Sequence, residues 1–119
     1  MLSEEEEINI NIEKENNTAK LASEKMLSIM PEGMMNMILR FKVNNPKSEC
    51  KVILSYTKPN GSISRFTEND IILMGDKFNE AEKYLGNLIL KLLKDTKGEW
   101  KTCFIWVNKD GVHDLDLFR

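Results

Sequence analysis

The amino-acid sequence predicts an α+β domain: an antiparallel sheet of about five strands with helices packed on one face, in the order α-β-β-β-α-β-β. Three observations predict it. Apolar and polar residues alternate with period two in separate stretches, Met35 to Val43, Cys50 to Thr57 and Val112 to Phe118. Two further stretches carry apolar residues at helical spacing, around Met26 and around Leu85. The strands are joined by turns so short that they must be antiparallel neighbours. A chain of 119 residues fits one domain. At this size a chain buries about 65% of the surface its unfolded form exposes, enough for a two-layer core without a metal or a disulfide.

The elements follow in order. Residues 1–12 read as an acidic, solvated and mobile segment, and residues 13–119 as the single α+β domain. Ile8, Ile10 and Ile12 alternate with Asn9 and Asn11 as in a strand, yet Ile8 and Ile12 also extend the helix face of Ala19, Ala22, Met26 and Ile29. Both readings stay open. Asn17 and Thr18 are good N-cap types for a helix that Pro31 and Gly33 end. Met37, Leu39 and Phe41 against Asn36, Arg40 and Lys42 make the first strand, with Ile38 as the exception to its wetter face. Asn44, Asn45 and Pro46 supply a turn into the second strand, with Cys50, Val52, Leu54 and Tyr56 on one face. Pro59, Asn60 and Gly61 turn the chain into a short third strand from Ser62 to Thr67.

Between Thr67 and Lys77 the apolar run Ile71 to Met74 predicts a short helical turn. Ala81, Leu85, Leu88, Ile89 and Leu92 then line one face of the clearest helix, with Asp76 as its cap and Gly98 past its end. Trp100 to Val107 reads as a central strand, apolar on both faces, on which Trp100 and Trp106 share a side by parity. Asn108 to Gly111 turn it into the last strand.

Composition narrows the function. With 41% hydrophobic and 30% charged residues the chain is an ordinary globular sequence. No apolar run approaches the roughly 20 residues of a membrane span, and the acidic start is unlike a signal peptide, so we expect a cytoplasmic protein with no membrane partner. The net charge of −2 is unevenly spread: eight glutamates against three lysines before Met34 give −5 and leave +3 for the remainder. That remainder has no basic cluster interleaved with exposed aromatics, so no nucleic-acid partner is expected.

The sequence offers little chemistry. His113 is the only histidine. Its neighbour Asp114 points to the opposite strand face, and Cys103 sits among apolar residues with nothing nearby to lower its pKa. Cys50 and Cys103 read as buried reduced thiols; whether they are ever bonded depends on register. The six glycines are scattered at turns and helix ends and form no phosphate loop. We therefore expect no catalytic residue, no cofactor and no metal. Asp114 and Asp116 share one strand face. They read either as a solvated edge that discourages strand addition or, with Glu99 and Asp110, as an acidic ledge that meets a basic protein partner. Met26, Met30, Met34, Met35, Met37 and Met74 read as core filling or as an adaptable contact surface.

Three segments taken together, MPEGMMNMILRFKV after the first helix, KVILSYTKPNGSISRF as a hairpin and GEWKTCFIWVNKDGVHDLDLF at the end, resemble the YezG-like immunity proteins of bacterial toxin systems. The resemblance includes the helix between Phe78 and Leu93 and runs from Met26 to Phe118. Where such proteins tend to carry a tryptophan after the first helix this chain has Met34 and Met35, and it ends Leu117, Phe118, Arg119 without a tyrosine-rich finish. The resemblance implies an antiparallel α+β protein that binds and silences a cognate toxin, often a nuclease, inside the producing cell. No contact residue is carried over, because partner surfaces in such proteins differ from toxin to toxin. The same element order and the acidic pI near 5.5 are also similar to small secretion chaperones that hold an effector segment extended, and sequence leaves monomer or homodimer undecided.

Overall fold

A computed structural model describes residues 4–43, 51–96 and 100–119, with side chains from residue 12 onward. The elements are α1 (Glu4–Ile29), β1 (Asn36–Lys42), β2 (Lys51–Thr57), β3 (Ile63–Arg65), α2 (Glu68–Met74), α3 (Asp76–Asp95), β4 (Thr102–Asn108) and β5 (His113–Phe118). The five strands form one sheet in the order β3-β2-β1-β4-β5, and every pairing is antiparallel. This is the α+β class expected, with α1 and α3 on one face of the sheet. The turn at Asn44 to Pro46, Cys50 and Gly98 lie outside the described residues.

The first helix runs further than its capping signals indicate. Asn17 and Thr18 lie inside α1 and cap nothing. Thr18 belongs to the buried stripe with Ala19, Ala22, Ser23, Met26 and Ile29, so tertiary packing holds the helix through a residue type that otherwise favours its start. The open choice at Ile8 to Ile12 resolves as helix, in a segment whose glutamates are good helix formers. Ala22 and Ser23 are small enough to let α1 approach α3 closely. The buried Ser23 hydroxyl donates to the Lys20 carbonyl at 2.8 Å and so is satisfied within its own helix. Pro31 ends the helix, and Gly33 turns the chain toward β1 at φ 84°.

Alternation then sorts each strand. Met37, Leu39 and Phe41 of β1, Leu54 and Tyr56 of β2, and Cys103, Ile105 and Val107 of β4 are buried under the helices. They meet Ala22, Met26 and Ile29 from α1 and Phe78, Ala81, Leu85, Ile89 and Leu92 from α3. Burial of one such large side chain stabilises the fold by about 1.5–3 kcal/mol. Of the methionines, Met26 and Met37 are fully buried, whereas Met35 is exposed.

The short helical turn between β3 and α3 is present as α2, pinned to the sheet by one carboxylate. Asp70 accepts the Thr67 backbone N–H at 2.9 Å and the Tyr56 hydroxyl at 3.0 Å, while its own N–H donates to Thr67 Oγ1 at 3.1 Å. This reciprocal cap satisfies the helix start and ties it to β2. Asp76 is not a cap: it is the first residue of α3, whose N-cap is Gly75, at φ 61° and without a side-chain bond.

Trp100 also departs from expectation. Strand pairing begins only at Thr102, so the parity that would have set Trp100 beside Trp106 does not reach it. Its indole N–H donates to Thr96 Oγ1 at the end of α3, at 2.8 Å, and its ring packs edge-on against Phe41. Trp100 is thus part of the core under the helices, and Trp106 stands on the other side of the sheet.

Candidate functional site: the open face of the sheet

The side of the sheet away from α1 and α3 has no layer over it among the described residues. By register one row across it reads Ile53, Arg40, Phe104, Asp116, and the next reads Ser55, Ile38, Trp106, Asp114. A third reads Lys51, Lys42, Thr102, Phe118. Ile38, Ile53, Phe104 and Trp106 are half-buried by their neighbours, and Phe118 is exposed. Phe104 and Phe118 meet edge to face with centroids 5.6 Å apart. Beside them Arg40, Lys42, Thr102, Phe104 and Phe118 line a shallow concavity of about 330 Å³. Charge changes sign across the face, from Lys51, Lys42 and Arg40 on β2 and β1 to Asp114 and Asp116 on β5.

Of the residues singled out from sequence, Asp114 and Asp116 stand exposed on this face, directly opposite Trp106 and Phe104. Asp114 Oδ1 also accepts the Leu115 backbone N–H at 2.9 Å. Asp110 is exposed in the β4–β5 turn, where its N–H donates to Asn108 Oδ1 at 2.9 Å, so it sits at the end of the sheet and not among the aromatics. Glu99 lies outside the described residues. Ile38, Arg40, Ile53, Phe104 and Phe118 were not singled out as site residues. Two signals could have found them: Ile38 breaks the alternation of β1, and β4 is apolar on both faces, which an antiparallel sheet covered on one side does not require.

Among the described residues His113 and Cys103 do not converge. His113 has the parity of the helix side; its Nδ1 lies 3.0 Å from the Gly111 carbonyl oxygen, and it borders a groove of about 330 Å³ with Ile12, Glu15, Asn16 and Ala19 of α1. Cys103 pairs with Leu117 and His113 with Val107, which sets them four positions apart along β4, roughly 13 Å at about 3.3 Å per residue. Burial, with smaller contributions from Glu15 and Asp116, pushes the Cys103 thiol up to about 12, where it is neither nucleophile nor ligand at neutral pH. Among the described residues no three histidine, cysteine or carboxylate groups gather as a metal site, and no helix is long and apolar enough to cross a membrane. What the open face can do is bind: it offers apolar contacts interleaved with the basic side chains of β1 and β2 and bordered by the aspartates of β5.

Compared with known proteins, the chain matches no family model and no curated sequence.

Proposed function

We propose that this chain is an immunity protein, which binds a cognate bacterial toxin domain in the cytoplasm through the open sheet face and neutralises it by occlusion, without chemistry of its own. The observation that carries the reading is the group of Ile38, Phe104, Trp106 and Phe118 on the open face, interleaved with Arg40 and Lys42 and bordered by Asp114 and Asp116. Tryptophan and arginine are enriched among the residues that carry most binding energy at interfaces, and phenylalanine is enriched in interface composition. A contiguous apolar patch rimmed by charge is also what distinguishes a contact surface from scattered exposed residues. Asp114 and Asp116 suit a basic partner, and a nuclease toxin must carry basic surface to hold nucleic acid.

Co-expression with the toxin domain encoded beside it should rescue growth, and calorimetry should give a one-to-one complex. Trp106→Ala and Phe104→Ala should abolish rescue while leaving a folded protein. Reversing both charges, Asp114→Lys with Asp116→Lys, should slow association by about tenfold at low salt. The reading ends if no complex forms. It also ends if light scattering finds a dimer that grips only an unfolded segment, as a secretion chaperone would.

A further inference from the structure

The outer edge of β5 is a second surface, and its chemistry differs from that of the open face. Lys101 N–H donates to the Phe118 carbonyl and Asn108 N–H to the Val112 carbonyl, both at 2.8 Å. By antiparallel alternation, the even-numbered residues of β5 therefore turn their backbone groups inward to β4, and His113, Leu115 and Leu117 turn theirs outward. Six residues make a full-length strand. The opposite edge, β3, has only three and offers little template. Among the outward groups, the Leu115 N–H is engaged by the exposed Asp114 carboxylate, a cap that a side-chain rotation removes.

The two sides of this edge specify what fits it. On the helix side the groove under α1 presents Ile12, 49% exposed, with Ala19 and Leu115, beside the polar Asn16 and His113. Glu15 lies in the same groove, where burial pushes its carboxyl up. On the open side stand Asp114 and Asp116. A strand laid along β5 would put one row of side chains into the groove, against Ile12 and Leu115, and the alternate row beside the two aspartates. A second copy of this chain fits poorly. Pairing β5 with itself about Leu115 sets Asp114 of each copy against Asp116 of the other, and like charges directly opposite are destabilising.

We propose that β5 receives an extended, alternately apolar and basic segment of a partner protein as a sixth strand. This deepens the binding reading above by naming how the partner is held. Main-chain hydrogen bonds to His113, Leu115 and Leu117 supply affinity, and the groove and the aspartates supply the choice of sequence.

The test needs no toxin, so its failure and the failure of the immunity reading are separable. The full chain is titrated with a synthetic peptide Thr-Lys-Val-Lys-Val-Lys-Thr and with its glutamate-for-lysine counterpart, following amide hydrogen exchange by NMR. The lysine peptide should slow exchange at Leu115 and Leu117 by about tenfold or more, and the glutamate peptide should not. His113→Pro removes an outward donor and no bond to β4, and should weaken binding by about tenfold. The Asp114→Lys, Asp116→Lys chain should instead prefer the glutamate peptide, a gain that misfolding could not produce. No binding, equal response to both peptides, or shifts confined to Phe104 and Trp106 would overturn the proposal. So would a β5-to-β5 dimer of the free chain.

Discussion

The two faces of the sheet are built from the same strands and differ by one residue of phase. On β4, Cys103, Ile105 and Val107 are sealed under the helices, while Phe104 and Trp106, between them, are only half-buried. The covered face could not be otherwise, because it closes the core. The open face could have been polar at every position and the fold would still stand, as it does in many antiparallel sheets. Single exposed apolar residues mean little. Here several fall in adjacent rows of one face, and the proposal of a contact surface rests on that placement more than on hydrophobicity itself.

Substitutions can break the comparison or sharpen it. Phe41→Ala should cost about 3–5 kcal/mol in urea denaturation, because a fully buried ring leaves a cavity. Phe104→Ala should cost about 1 kcal/mol or less. Equal losses would mean that the open face is part of the core after all. The thiol test comes next. In a Cys50→Ser background Cys103 should resist iodoacetamide at pH 8 until the protein unfolds, whereas Thr102→Cys, one residue along on the open face, should react in the folded state. Acid probes the cap of α2. The Thr67 backbone N–H, helped by the Tyr56 hydroxyl, holds the Asp70 carboxyl below the ordinary carboxylate range against the opposing effect of burial. A carboxyl lowered on folding stabilises the fold above its ordinary value, and that contribution disappears as pH falls through the lowered one. Thr67→Ala should cost about 1 kcal/mol at neutral pH, and Asp70→Asn should flatten the acid limb of the stability curve. The smallest effect is a gain. A Cβ at Gly86 on α3 would meet Val52 Cγ2 at 3.7 Å, an ordinary contact, so Gly86→Ala should stabilise by about 0.5–1 kcal/mol in thermal unfolding.

Much of the fold is legible because period-two and period-3.6 patterns are local. Met37, Leu39 and Phe41 declare their face within one strand, and the α3 stripe declares itself within one helix. Errors arose where a local signal was extended past the contacts that decide it. Asn17 and Thr18 are cap types, but a buried stripe carries α1 straight through them. Trp100 was given the parity of a strand that begins two residues later. For the site, period two puts Asp114 and Asp116 on one face from sequence alone. That they stand beside Phe104 and Trp106, and across from Arg40, depends on the register of β1, β4 and β5, which no local pattern encodes. Charge and chain proximity group Glu99 and Asp110 with them, but Asp110 stays in the turn that the sequence predicts, at the end of the sheet.

The separation of Trp100 from Trp106 also gives the molecule two independent optical reporters. The first indole, hydrogen-bonded and dry, should emit at short wavelength and respond only to unfolding. The second, half in water on the open face, should be quenched by iodide in the free protein and, if the proposed complex forms there, shielded on its formation. A Trp100→Phe variant would therefore follow docking by intrinsic fluorescence, with no dye attached to the surface under study.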